Sequence, residues 1–137
     1  MAQRFRLTSG VQEKDIQREI LLTLGEEQFV TKRGKNGKPR KHSKNLYLGA
    51  NSMFWRANSG WLRGAVGLVQ VNSPGCADVL GVVAGRPIAL ECKTEEGRQN
   101  ADQKAWQAIF ESAGGLYALV RSVGEAVRFV ASVKVAA

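Results

Sequence analysis

Gly75-Cys76-Ala77-Asp78, then Val79-Leu80-Gly81-Val82-Val83, a turn, and Ile88-Ala89-Leu90-Glu91-Cys92-Lys93 is the stretch whose reading decides the fold. It sets one carboxylate in front of an apolar strand and a Glu-x-Lys pair at the end of the next. Gly85 and Pro87 invite a turn centred on Gly85-Arg86 that pairs the two strands. Asp78 then faces Lys93, and Leu80 faces Glu91. A loop of two or four residues gives this register, and an odd-length loop would shift it. Side chains alternate faces along a strand and directly opposed residues share a face. Asp78, Glu91 and Lys93 therefore converge on one side, while Ile88, Leu90 and Cys92 point to the other. Two acids and an ammonium group at the end of an apolar hairpin are costly unless paired or bound to something. That cost makes the hairpin a candidate site.

Upstream, Val11 to Leu24 reads as a first helix, with Ile16, Ile20 and Leu24 on one stripe and Gly25 as its stop. Glu13 and Gln17 sit beside that stripe, whereas Lys14, Arg18 and Glu19 point away. An acid in a first helical turn also suits the helix dipole, so the helix alone leaves Glu13 open between the two roles. Met53-Phe54-Trp55-Arg56 is strand-like, Asn58-Ser59-Gly60 turns, and Gly67 to Val71 is a further strand candidate. Downstream, Asn100 opens a helix as N-cap and Gln103 completes a capping box. Trp106, Ile109, Phe110 and Ala113 give that helix a core stripe, and Gly114-Gly115 ends it. Leu116 to Val120 reads as a buried strand. Ser122 caps a last helix from Val123 to about Val133, with Val127, Val130 and Ala131 inward. This order predicts an α/β or α+β sandwich around a mixed sheet, in one domain spanning residues 1–137.

With 44% hydrophobic and 23% charged residues, the composition is that of an ordinary globule. No apolar run is long enough to span a bilayer, and Met1 to Gly10 is too polar for a signal peptide. Two cysteines without such a signal predict reduced thiols and a cytoplasmic setting. The net charge of +8 points to an acidic partner, nucleic acid first. Lys32, Arg33, Lys35, Lys38, Arg40, Lys41 and Lys44 carry nearly all of it, in a Gly/Lys/Asn/Pro-rich segment at 31–45 that reads as a loop insertion. That segment is either a solvated insertion or a phosphate-contacting arm. His42 within it lacks the partners of a catalytic or zinc centre.

Two carboxylates on neighbouring strands, with a third from a helix, suit a hard cation such as Mg²⁺ or Mn²⁺. Such an ion polarises a phosphoryl oxygen and activates water for in-line attack, and a lysine on the same face can hold that water or neutralise the transition state. Cysteine is a softer ligand, and Cys92 points away, so zinc is not expected. Cys76, beside the turn, reads as packing. No Gly-rich phosphate loop, nucleophile elbow or dinucleotide fingerprint occurs, and no organic cofactor is expected.

At this point the sequence resembles a known family, the virus-type replication-repair nuclease (VRR-NUC) domain of the PD-(D/E)XK nuclease superfamily. The residues that carry the resemblance are Glu13-x-x-Ile16-Gln17 and Phe54-Trp55-Arg56-x-Asn58-x-Gly60, then Pro74-Gly75-x-x-Asp78-x-x-Gly81 and Leu90-Glu91-x-Lys93. Gly97-Arg98, Gln103, Gly114-Gly115-x-Tyr117 and Val120-Arg121-Ser122-Val123 follow. Nearly the whole chain is covered, apart from the basic segment and Leu62 to Asn72.

The resemblance implies a restriction-endonuclease-like α/β core, a small mixed sheet flanked by helices. It implies a Mg²⁺- or Mn²⁺-dependent endonuclease acting on branched DNA, a Holliday junction or flap, in a bacterial or phage-infected cell, as the stand-alone phage type does. Carried over, Asp78, Glu91 and Glu13 bind metal together with the Cys92 backbone carbonyl, and Lys93 assists the nucleophile. Gln17, Arg56 and Gln103 fall among the DNA-contacting positions, although the capping box explains Gln103 equally well. The family's stand-alone members suggest a homodimer. The lysine-rich insertion departs from shorter members and puts the substrate preference in doubt. The competing reading is a non-catalytic nucleic-acid-binding subunit with a degenerate nuclease fold, against which the intact Asp78, Glu91 and Lys93 speak.

Overall fold

The apolar runs on either side of the Ala84-Gly85 turn form the centre of a mixed sheet. A computed structural model describes residues 12–33, 39–57, 60–64 and 67–136. The chain runs α1 (Glu13–Leu24), β1 (Glu26–Arg33), β2 (Pro39–Gly49), β3 (Ser52–Arg56), β4 (Gly60–Gly64), β5 (Gly67–Val71), β6 (Val79–Val83), β7 (Arg86–Cys92), α2 (Ala101–Ser112), β8 (Leu116–Val120) and α3 (Val123–Ala136). Six strands form one sheet in the order β1-β2-β3-β6-β7-β8, and β4 and β5 pair as a separate two-stranded sheet. All neighbours in the large sheet are antiparallel except β7 and β8, which run parallel with α2 as the crossover. The architecture is α/β.

The core lies on one face of this sheet. Val79, Val83, Ile88, Leu90, Cys92 and Val120 pack there against Ile16, Ile20 and Leu21 of α1 and Ala126, Val130 and Val133 of α3. Residues of the opposite parity, Ala89 and Glu91 with Tyr117, face α2. Phe54 is fully buried opposite Gly81, where a Cβ would run into the Phe54 ring. At Gly75, φ is +81° and a Cβ would meet the Asp102 backbone at the start of α2. Glycine is required at both places, and the second fixes the approach to Asp78 against α2.

The structure corrects several sequence expectations. The β6–β7 turn is centred on Ala84-Gly85, with Val83 opposite Arg86, so the register is two residues away from the one expected. Ala84 and Gly85 both have positive φ, at 50° and 77°, the pattern of a type I′ turn whose twist matches that of the strands. A slip of two preserves side-chain parity, so the assignment of faces stands. Most of the expected 31–45 loop is strand: β1 and β2 pair along it from Glu26↔Leu48 to Arg33↔Pro39, with an irregularity between Thr31 and Arg33. Residues 34–38, and all seven basic side chains, lie outside the described residues. So do Val11, Asn58 and Ser59.

Two helical faces also differ. Ile109 of α2 is 70% exposed and Ala113 is exposed, while Trp106 and Phe110 are half-buried and stack on each other at 4.9 Å. The helix sits against β8 rather than in the main core, so its apolar stripe is only partly covered. In α3 the buried set is Ala126, Val130 and Val133, while Val127 and Ala131 are exposed, and the helix continues to Ala136. With apolar residues on every side of this helix, among them Val123, Ala126, Val127, Phe129, Val130, Ala131 and Val133, the pattern alone leaves its phase undecided. No helix among the described residues is long and apolar enough to cross a membrane.

Candidate active site

Asp78 stands one residue before β6. Its carbonyl accepts the Ala57 N–H at 2.8 Å, and its Oδ2 accepts the Cys92 N–H at 2.8 Å. The first ties the Asp78 backbone to the end of β3, and the second ties its carboxylate to the end of β7. The β6–β7 register, continued by one residue, places Asp78 directly opposite Glu91. Asp78 is therefore closer to Glu91 than the expected diagonal pairing would have put it.

Glu91 is 1% exposed. Its Oε1 accepts the Gln103 Nε2–H at 3.0 Å and lies 3.6 Å from Lys93 Nζ. Its Oε2 is fully buried and receives no hydrogen bond. Lys93 is 8% exposed, and its Nζ also lies 3.8 Å from Glu13 Oε1. Glu13 reaches this point from α1, on the other face of the sheet, at the end of β7. One ammonium group thus stands between two carboxylates drawn from different layers.

Gln103 does two things with one side chain. Its Oε1 accepts the Asn100 N–H at 3.0 Å, the Asn100 Oδ1 accepts the Gln103 N–H at 2.9 Å, and its Nε2 turns to Glu91. The capping box and the contact with the site are the same structure. Cap formation at the start of α2 therefore orients a donor toward the buried acid.

The electrostatics follow from this crowding. Burial pushes the Glu91 carboxyl from 4.5 up to about 8, helped by the Asp78 charge and a carboxyl–carboxyl hydrogen bond, while Lys93 pulls it down. Burial also raises Asp78, against the Cys92 N–H, the Glu91 hydrogen bond, Lys93 and Arg56. Burial raises both thiols, Cys76 and Cys92, with the charges of Asp78 and Glu91 adding to it. Thiols held in the protonated form are poor metal ligands. Two opposed carboxyl groups with too few donors share a proton, or hold a cation in its place.

The residues fit a divalent cation by charge and donor type. Glu13, Asp78 and Glu91, when ionised, bring three negative charges and Lys93 one positive, which leaves two. The buried Glu91 Oε2 has no donor from the protein beyond the proton it can share with Asp78, and is an oxygen ligand that a cation could take in that proton's place. Among the described residues no three His, Cys, Asp or Glu side chains form a ready cluster of metal ligands. The Lys93 ammonium between Glu13 and Glu91 is the physical reason Glu13 joins the site only through an ion pair.

Of the other expected site residues, Gln17 is buried one turn after Glu13, and Arg56 is exposed at the end of β3, near enough to act on Asp78. Lys32, Arg33, Lys35, Lys38, Arg40, Lys41 and Lys44 have side chains outside the described residues. Arg121 was not among the expected site residues, and its guanidinium bonds three carbonyls just after Lys93. No pattern in the sequence announces such a contact. Comparisons of this chain with protein-family models, with curated proteins and with solved structures found no match.

Proposed function

We propose that this chain is a divalent-metal-dependent DNA endonuclease with a restriction-endonuclease-like core, selective for branched DNA such as Holliday junctions or flaps. The observation that carries the reading is the undonated, buried Glu91 Oε2, on a carboxylate directly opposite Asp78 and beside the Lys93 ammonium. A structural ion pair has no need of a second acid opposite the first. The resemblance of the chain to the virus-type replication-repair nuclease domain supplies the substrate class and the expectation of a homodimer.

In this reading Asp78 and Glu91 would hold Mg²⁺ or Mn²⁺, with Glu13 tied to the site through the Lys93 ammonium. The metal, when bound, supplies positive charge next to the scissile phosphate and acidifies water. Asp78 is held by the Cys92 N–H and Glu91 by Gln103, so both carboxylates are oriented before substrate arrives. Lys93 donates to the attacking water or to a phosphoryl oxygen. Arg56 and the seven basic residues at 31–45 would attract the DNA backbone by their charge.

The test is incubation of supercoiled plasmid, a four-way junction and a flap with Mg²⁺, Mn²⁺ or EDTA. Cleavage should require metal, favour the branched substrates and vanish in Asp78→Asn. DNA binding by that variant should be undiminished, because removing a negative charge does not weaken attraction to phosphate. A protein that shifts DNA on a gel but cleaves none of these substrates with either metal is a binding subunit, and the proposal fails.

A further inference from the structure

Arg121 sits between β8 and α3. Its backbone N–H donates to Glu125 Oε2 at 2.6 Å, and Ser122 Oγ accepts the Glu125 N–H at 3.2 Å. The first turn of α3 therefore fixes the backbone from which the arginine projects. From there Nη1 donates to the carbonyl oxygens of Thr94 at 2.6 Å, Gly97 at 2.8 Å and Glu95 at 3.1 Å. The two N–H groups of Nη1, one of them shared between two carbonyls, gather a whole turn of backbone about a single charge.

That turn is the connection immediately after Lys93. At its start, the Lys93 N–H donates to the Val120 carbonyl at 3.0 Å, which fixes the lysine backbone to the residue before Arg121. At its end, the chain folds back over the lysine. A Cβ placed on Gly97 would lie 3.2 Å from Lys93 Cδ, 3.3 Å from Lys93 Cβ and 3.4 Å from Glu13 Oε1. The Gly97 backbone is thus a wall against the aliphatic stem of Lys93, on the side of Glu13. A flexible four-carbon side chain has many rotamers, and the wall leaves it few.

We infer that Arg121 is a positioning residue for Lys93: by clamping the 94–97 connection it fixes where the lysine ammonium stands between Glu13 and Glu91. Arg121 itself touches no reacting atom. The inference rests on the nuclease reading for its catalytic half, because only there does the place of the ammonium set a rate. Its structural half, the shielding of Lys93, stands apart from any activity.

Arg121→Ala tests both halves. In the first arm, the metal-free protein is acylated with an N-hydroxysuccinimide ester and labelling is read by mass spectrometry, with exposed Lys104 and Lys134 as internal references. Loss of the clamp should speed labelling of Lys93 about ten-fold or more, since protection of a buried group follows its opening equilibrium, and leave the reference lysines unchanged. In the second arm, kcat should fall about 10–100-fold with KM for DNA unchanged, the effect of a misplaced group rather than of weaker binding. Millimolar guanidinium should restore part of the rate.

Unchanged Lys93 labelling in folded Arg121→Ala overturns the clamp, whatever the DNA assay shows. Faster labelling with unchanged kcat overturns the positioning role and leaves Arg121 a loop staple. A wild-type protein that cleaves no DNA overturns the nuclease reading and the catalytic half with it, while the labelling arm still decides the clamp. If Arg121→Ala does not fold, Gly97→Ala takes its place, since it keeps Arg121 and puts a methyl between the Lys93 stem and Glu13. It should lower kcat at unchanged KM, and an unchanged kcat overturns the inference.

Discussion

Replacing Glu91 by Gln should make this protein more stable at alkaline pH while abolishing the proposed DNA cleavage. The carboxyl of an unfolded chain releases its proton near 4.5, and the folded protein holds it to about 8. Between those values the folded state keeps a proton that the unfolded state has lost. Stability from this group is therefore complete below 4.5, falls as pH rises through the interval, and is level again above about 8. At about 1.4 kcal/mol per pH unit the full interval corresponds to about 5 kcal/mol. Relaxation and water entry on ionisation reduce that, so about 2–5 kcal/mol is expected. Glu91→Gln has no proton to lose, and its amide can donate to Asp78. In EDTA, urea unfolding should give similar stabilities for the two proteins below 4.5 and a variant about 2–5 kcal/mol more stable at about pH 9. Saturating Mg²⁺ should restore the wild type at high pH, by about 2.7 kcal/mol at a hundred times Kd, and do nothing for the variant. Parallel pH curves for the two proteins would refute the argument.

Gln103 and Asn100 separate capping from site support. Asn100→Ala loses half of the capping box and should cost about 0.5–2 kcal/mol in a thermal melt with the rate largely kept, whereas Gln103→Ala should also lower kcat; equal rates in the two variants would show that Gln103 only caps. Lys93→Ala should lose most cleavage and keep divalent binding, since an ammonium group is no ligand; calorimetry showing lost Mn²⁺ binding in the folded variant would contradict that. Ala84→Asn should raise stability by about 0.5–1 kcal/mol, because asparagine tolerates the left-handed conformation in which Ala84 is held; a lower melting temperature would argue against the type I′ turn.

The acid hairpin was legible because its message is parity. Asp78, Glu91 and Lys93 share a side under any even-length turn, so a slip of two residues left the site intact. The slip itself was not legible, since Gly85 and Pro87 suggest a turn one residue further on, and an alanine at positive φ is not a turn signature. The caps at Asn100 and Ser122 were readable because each rests on a local pair of side chain and backbone three residues apart. β1 and β2 were not readable through the lysines and glycines of the basic segment, because their pairing is fixed by backbone partners across the hairpin. The exposure of Ile109 and the phase of α3 depend on where neighbouring layers end, which periodicity cannot show. The same holds for Arg121, whose partners are more than twenty residues away in the chain.

In the proposed mechanism Asp78 and Glu91 together hold a divalent cation. Electron paramagnetic resonance of Mn²⁺ titrated into the wild type, Asp78→Asn and Glu91→Gln at about pH 8 tests it without any DNA, at a pH where a metal ion readily displaces the Glu91 proton to solvent. Saturable Mn²⁺ binding by the wild type, lost in both folded variants, is the predicted result. Binding that survives in either variant, or a wild type that takes up no Mn²⁺, would contradict it.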